Sequence, residues 1–249
     1  MTSVRCDRMN TICIIQARMG STRLPGKVMM DIIGKTMLQR TYERVSKARS
    51  IDSTIVATST LAADDQLERY CNENAWPCFR GSAEDVLERY YSAAIAFKAD
   101  VIVRITSDCP LIDPSVTDKV IQHFQKIDCD YASNGFPLRT FPRGLDTEVF
   151  SFRALERSWH EDTDLSTREH VTQYIQRNPR KFRLTGIMNP IDYSHLRWTV
   201  DEPRDLEFVR RVYSMMARDY FSWEDVVSLL KKSPELIDIN KDVTQKALP

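Results

Sequence analysis

The stretch IIQARMGSTRLPGKV, residues 14 to 28, places Arg18, Arg23 and Lys27 on one short loop behind an apolar run. Arginine forks match pairs of phosphate oxygens, and lysine adds a compact charge. Gly20 and Gly26 let the backbone turn tightly or come close to a ligand, while Ser21 and Thr22 add hydroxyl donors. Phosphate binding is the chemistry that such a loop suits; a surface loop with incidental charges is the alternative. It is not a Walker loop, because five residues rather than four separate Gly20 from Gly26. Val28 stands where that loop needs a hydroxyl for magnesium, and Pro25 removes a backbone donor. Nor does the loop carry the GxGxxG spacing of a dinucleotide site.

Two carboxylates stand in comparable places further along. Asp108 follows the apolar run DVIVRIT, and Asp201 follows RWTV and precedes a proline-led helix. Carboxylates that end separate strands can converge on one Mg2+, which takes oxygen ligands and keeps waters beside substrate phosphates. Each also fits a turn or a helix cap. Asp128-Cys-Asp130 is a D-x-D, but it lacks a preceding apolar strand and reads better as the solvated end of a helix. The histidines at 123, 160, 170 and 195 show no metal-ligand spacing. The cysteines at 6, 13, 71, 78, 109 and 129 form no CxxC pair, which points to reduced thiols in a cytoplasmic protein.

These groups need a scaffold, and the first half of the chain supplies its rhythm. Apolar or β-branched runs at 11–17, 53–59, 76–82 and 100–106 alternate with amphipathic patterns at about 36–48, 63–74, 84–97 and 114–125. Thr36 with Gln39 reads as a capping box, and Pro114 falls where a helix tolerates it. Strand and helix in alternation call for an α/β fold with a mostly parallel sheet and helices on both faces. In such sheets ligands bind beyond the carboxyl ends of the strands, which is where the opening loop and Asp108 fall.

After residue 126 the pattern changes. DYAS, LDTEVFSF, KFRLTGI and HLRWTV read as strands, the last two as antiparallel ones. STREHVTQYIQRN reads as a helix capped by Ser166 with Glu169, and two helices end the chain. The expectation is a flexible arm over residues 1–10, with Met1 or Met9 as the start, followed by a single domain over 11–249. Within it, 11–126 forms a nucleotide-binding half and 127–249 an acceptor-binding, capping half.

Composition sets bounds on the partners. Among 249 residues, 35 Lys and Arg balance 35 Asp and Glu, so no global field draws a polyanion, and nucleic acid is not expected. No apolar run approaches the roughly 18 residues of a membrane helix, and the N-terminus does not read as a signal peptide.

With these motifs in view, QARMGSTRLPGK resembles the signature of the cytidylyltransferases that activate sugars as CMP derivatives, including the acylneuraminate and 3-deoxy-manno-octulosonate enzymes. The matching residues are Arg18, Ser21, Thr22, Arg23, Leu24, Pro25 and Lys27. GSAEDVLERYY, VRITSDCPLIDP, PRGLDTEVFS, STREHVTQYI and HLRWTVDEPRDL carry the likeness on to about residue 213, nearest the spore-coat polysaccharide protein F type. The sequence departs from the octulosonate enzymes around Asp108, where Thr-Ser-Asp-Cys-Pro replaces Gly-Asp-Glu-Pro, which puts the acceptor in doubt more than the nucleotide chemistry.

The resemblance implies a Rossmann-like, mixed, mostly parallel sheet of the nucleotide-diphospho-sugar transferase type. It implies CTP and a small, acidic sugar acceptor as partners, Mg2+ on Asp108 and Asp201, and a homodimer. Arg23 and Lys27 would join the two aspartates as catalytic groups. Ala17, Arg18, Gly20, Ser21, Thr58, Ser59, Gly81 and Ser107 would complete the nucleotide site, and Arg143, Arg168, His170 and Arg197 the acceptor site. A nucleotidyltransferase that uses another nucleotide or a non-sugar acceptor, and a non-catalytic nucleotide binder, are the rival readings.

Overall fold

The computed structural model describes residues 9–245. Thr11–Gln16 forms β1, Ser53–Ser59 β2, Cys78–Gly81 β3 and Val101–Thr106 β4, and all four run parallel. Tyr131–Ser133 (β5), Glu148–Ser151 (β6) and Leu184–Gly186 (β7) extend this into one sheet of seven strands, in the order β3-β2-β1-β4-β6-β5-β7. Only β6 runs against its neighbours. The sheet is therefore mixed and mostly parallel, as expected, but β7 pairs with β5 in parallel rather than antiparallel.

Alternation along β1 explains the layers. Cys13 and Ile15 pack with Leu38, Val45, Leu67, Val120 and Phe124, which lie on Met37–Val45 (α1), Asp65–Glu73 (α2) and Pro114–Lys126 (α4). Ile12 and Ile14 face the other way, against Leu87, Tyr90, Leu155 and Ile175 of Val86–Ala96 (α3), Phe152–Glu161 (α5) and Gln173–Arg177 (α7). A third cluster gathers Trp198, Phe141 and Leu111 with Pro203–Met216 (α8) and Trp223–Lys232 (α9). Among the described residues, no helix is long and apolar enough to cross a membrane.

Several local expectations change. The Thr36 hydroxyl accepts from the Gln39 N–H at 3.1 Å, but the Gln39 side chain turns to Glu43 and Tyr70 and leaves the box half made. The helix expected from Ser166 breaks into Leu165–Arg168 (α6), capped by Asp164, and α7, with Val171 at φ 60° between them. HLRWTV forms no strand and makes a single bridge, Arg143 to Arg197. Of the expected arm, residues 1–8 lie outside the described residues, and Asn10 is anchored to Asp100, Phe97 and Lys98.

Candidate active site

Topology brings the chemistry to one edge. The opening loop leaves the carboxyl end of β1 and Asp108 leaves that of β4, while the loop before antiparallel β6 returns to the same edge. There the Lys27 ammonium is buried, donating to Asp108 Oδ2 at 2.7 Å, Asp201 Oδ1 at 3.0 Å and the Val200 carbonyl at 2.7 Å. Arg23 reaches the same Asp201 oxygen at 2.9 Å. Arg197 holds Asp201 Oδ2 at 3.0 Å, and Asp205 in turn fixes Arg197 through its Nε at 2.9 Å.

Local folding makes this convergence possible. Gly26, at φ 69°, turns the chain into a short 3-10 stretch that starts at Lys27 and aims its side chain inward. The Val200 N–H donates to the Asp108 carbonyl at 2.8 Å, so the segment carrying Asp201 docks directly on the end of β4. Gly144, at φ 103°, lets that segment lie flat: a Cβ there would stand 2.6 Å from the Thr199 nitrogen. Asp113 caps α4 and Glu202 caps α8, so neither Asp108 nor Asp201 is spent as a helix cap.

The electrostatics follow from this packing. Burial works to raise the Asp108 carboxyl, but the Lys27 charge and its hydrogen bond outweigh that and hold the group below the usual carboxylate range. Burial likewise works to lower Lys27, and the two aspartates more than offset it and raise the pKa. The site is therefore a charged pair of acids with a cation lodged between them.

The rest of the expected nucleotide site is distributed as follows. Asp64, which the sequence did not single out, accepts from the Met19 N–H at 2.7 Å and from the Ser59 N–H and hydroxyl, pinning the opening loop to β2. Ser59 therefore serves the scaffold through Asp64. Ser107 is buried and bonded through its backbone to Gln16 and Thr41. The Ala17 N–H is taken by the Ala57 carbonyl, and Arg18 is half-exposed and paired with Glu169. Ser21 caps a turn by accepting from the Leu24 N–H, and Gly20 has open space beside it. Thr58 and Gly81 lie at the carboxyl ends of β2 and β3.

The four groups expected for the acceptor do not assemble as one clamp. Arg168 is buried and committed to Asp85 at 2.7 Å and to the carbonyls of Trp159 and Asp162, and His170 sits in the turn between α6 and α7. Arg143 and Arg197 instead line a cavity of about 130 Å³ with Ser194, His195, Asn240 and Gln245. Arg197 is engaged by Asp201 and Asp205, whereas the Arg143 guanidinium has no hydrogen bond or ion pair among the described residues. Asp128 and Asp130 precede β5, which runs parallel to β4, so they lie at the opposite edge of the sheet, where both pair with Arg183.

A sheet of this order with acids and phosphate-type cations at its carboxyl edge defines a nucleotidyltransferase. A sequence model of the cytidylyltransferase family matches residues 12–245, and the chain belongs to that family. It is 35% identical over 238 residues to the spore coat polysaccharide biosynthesis protein SpsF of Bacillus subtilis, covering 91% of this chain and 97% of that one. It is also 35% identical over 116 residues to the 3-deoxy-manno-octulosonate cytidylyltransferase of Trichlorobacter lovleyi, which covers 47% of this chain and 45% of the relative. Among solved structures, a cytidylyltransferase from Leptospira borgpetersenii superposes with a TM-score of 0.89 at 34% identity, covering 96% of this chain and all of that one (100%).

Proposed function

We propose that this enzyme transfers CMP from CTP to a small acidic sugar, with release of pyrophosphate, and so feeds the assembly of a surface polysaccharide. The observation that carries this reading is the Lys27 ammonium held between Asp108 and Asp201 at 2.7 and 3.0 Å, with Arg23 alongside. The name of the spore-coat relative supports the pathway class, and the octulosonate relative supports an acidic acceptor.

The donor set fits Mg2+. Two carboxylates already surround one cation position, and both offer the hard oxygen ligands that the ion takes. Asp108 and Asp201 would hold it, and when bound it would neutralise charge on the phosphate oxygens.

The protein's own residues do the rest. Lys27 and Arg23 turn to the β- and γ-phosphates and spread the charge that accumulates as pyrophosphate departs. An acceptor hydroxyl oxygen forms its bond to the α-phosphorus as the bond to the bridging oxygen breaks; the hydroxyl proton passes to solvent, and the electron pair leaves with pyrophosphate. Alignment is most of the catalysis. It comes from Asp205, which locks Arg197 and Asp201, and from Asp64, which locks the loop at Met19. Arg143, bridged to Arg197 and without an ion pair among the described residues, would receive the acceptor carboxylate. The five cysteines among the described residues are unbridged, which fits a cytoplasmic site of action.

The test is pyrophosphate release with each of the four nucleoside triphosphates against a panel of acidic sugars. Release should be selective for CTP and should fall on the order of 10²–10³-fold in Asp108→Asn. Equal release with all four nucleotides, or full activity in the variant, would sink the reading.

A further inference from the structure

The cavity beside Arg143 takes part of its wall from the end of the chain. Ile237, Asn240, Lys241, Val243 and Gln245 line it together with Arg143 and Arg197, and among the described residues no carboxylate lines it. Asn240 fixes one end of this wall. It is 3% exposed, and its Nδ2 donates to the Arg197 carbonyl and to Asp205 Oδ1, each at 3.0 Å. The Val243 N–H closes a turn on the Asn240 carbonyl at 3.1 Å. Past Val243, a single hydrogen bond among the described residues returns the chain to the domain: Arg197 Nη1 donates to Gln245 Oε1 at 2.5 Å.

That bond differs in kind from the others that Arg197 makes. Nε goes to Asp205 at 2.9 Å, and Nη2 goes to Asp201 and Asp205 at 3.0 and 3.1 Å. Two nitrogens therefore meet carboxylates, while the third meets the neutral amide of a residue that lines the cavity. Arg143, joined to Arg197 by a parallel backbone bridge, brings a guanidinium without an ion pair to the same wall. A carboxylate binds a guanidinium about twice as strongly as a neutral oxygen does, and its two oxygens can be shared between neighbouring donors. The amide is thus the weaker occupant of a position that suits an anion. Gln245 is itself exposed, so it gives up little burial in leaving that position.

We propose that Gln245 holds the anion position of the acceptor site until an acidic acceptor enters, and that segment 240–245 is a strap, anchored at Asn240, which then releases Arg197 Nη1. The acceptor carboxylate bridges Arg143 and Arg197, while Nε and Nη2 stay on the two acids and keep Asp201 in place. Acceptor affinity is reduced by the fraction of molecules with the strap closed. A neutral sugar carries no group that outcompetes the amide, so Gln245 also selects for an acidic acceptor. This inference rests on the reading of the cavity as the acceptor's.

The test is pyrophosphate release by the full chain with CTP and two acidic sugars, 3-deoxy-manno-octulosonate and an acylneuraminate, in the wild type, Gln245→Ala and Gln245→Glu. Gln245→Ala removes the competing oxygen, so acceptor KM should fall about 3–10-fold. Gln245→Glu puts a carboxylate on the same nitrogen, so acceptor KM should rise about 10-fold or more. In both variants, kcat at saturating acceptor and KM for CTP should hold within about 2-fold. A residue that merely supports the wall would move both variants in one direction, or would lower kcat through Arg197 and Asp201. Trypsin cleavage after Lys241, within the strap, reads opening without turnover. It should be faster in Gln245→Ala, slower in Gln245→Glu, and faster in the wild type when the acidic sugar is present. Acceptor KM unchanged in both variants, or equal cleavage in all three proteins, overturns the strap and leaves the cytidylyltransferase reading standing. A wild type that turns over neither sugar, and whose cleavage ignores both, overturns the acidic-acceptor reading and the strap together.

Discussion

At the scale of single residues, Lys27 is the group on which the site turns. Its ammonium occupies the place between Asp108 and Asp201 that a divalent ion would need, so without nucleotide the acids are already neutralised. On the proposed reading, a triphosphate would offer Lys27 a better partner and free the acids. Mn2+ should therefore bind the wild type weakly alone and tightly with CTP. In Lys27→Met it should bind without nucleotide at least about 10-fold more tightly than in the wild type, since one charge–charge contact of this kind is worth about 1.4 kcal/mol or more. Electron paramagnetic resonance titration of free Mn2+ reads this directly, and equal affinity in the two proteins would refute it. Lys27, Asp108 and Asp201 were legible in the sequence because each ends an apolar run, and chain topology delivers such positions to one edge. The engagement of Arg168 was not legible, for the opposite reason. Its partner Asp85 lies 83 positions away, and no local pattern announces that pairing.

At the scale of elements, the loop around Gly144 and the segment 196–201 form one unit. The Arg143 N–H donates to the Leu196 carbonyl at 3.0 Å, and the Trp198 N–H donates to the Arg143 carbonyl at 2.7 Å. HLRWTV alternates like a strand because Leu196, Trp198 and Val200 are buried, but its backbone partners are this loop and Asp108. The periodicity was real and the partner was not a sheet. FSFRALERSW misled in a similar way: Phe150 and Phe152 extend the strand pattern, while Ser151 caps α5 by accepting from the Ala154 N–H, with no acidic residue at that position to signal it. The first four strands were readable because strict alternation of strand and helix leaves little freedom. Gly144→Ala should cost at least about 1–3 kcal/mol for the left-handed backbone alone, before the clash with Thr199. Urea denaturation should show an earlier midpoint, and pyrophosphate release should fall with it because Asp201 hangs from the displaced segment. An unchanged midpoint would show that the close packing of the two loops contributes nothing to stability.

At the scale of the whole molecule, charges balance at 35 of each sign, so stability against pH depends on particular pairings rather than on net repulsion. Several carboxyls are held below their usual range, among them Asp108, Asp130, Asp219 and Asp225, along with Glu161 at about 2. A depressed carboxyl stabilises the fold above its unfolded pKa of about 3.9–4.3, and that contribution is lost as pH falls through the folded value. Lys27 has the opposite sense: its raised pKa stabilises below about 10.4 and is lost as pH climbs through the folded value. The wild type should therefore be most stable between these limits and should weaken below about pH 4. The Asp108 share can be isolated by comparison with Lys27→Met. Without the ammonium, burial dominates and pushes the Asp108 carboxyl above its unfolded value, so the folded state gains a proton first and acid becomes stabilising at this site. Asp201, which Lys27 also touches, keeps Arg23 and Arg197 in both proteins, and the carboxyls that do not touch Lys27 act equally and cancel in the difference. The stability gap between wild type and variant should be wide at pH 7 and should narrow steadily from about pH 6 to pH 3. Chemical denaturation at a series of pH values measures it, and a gap that stays constant over that range would mean that Lys27 and Asp108 are not coupled in the folded protein.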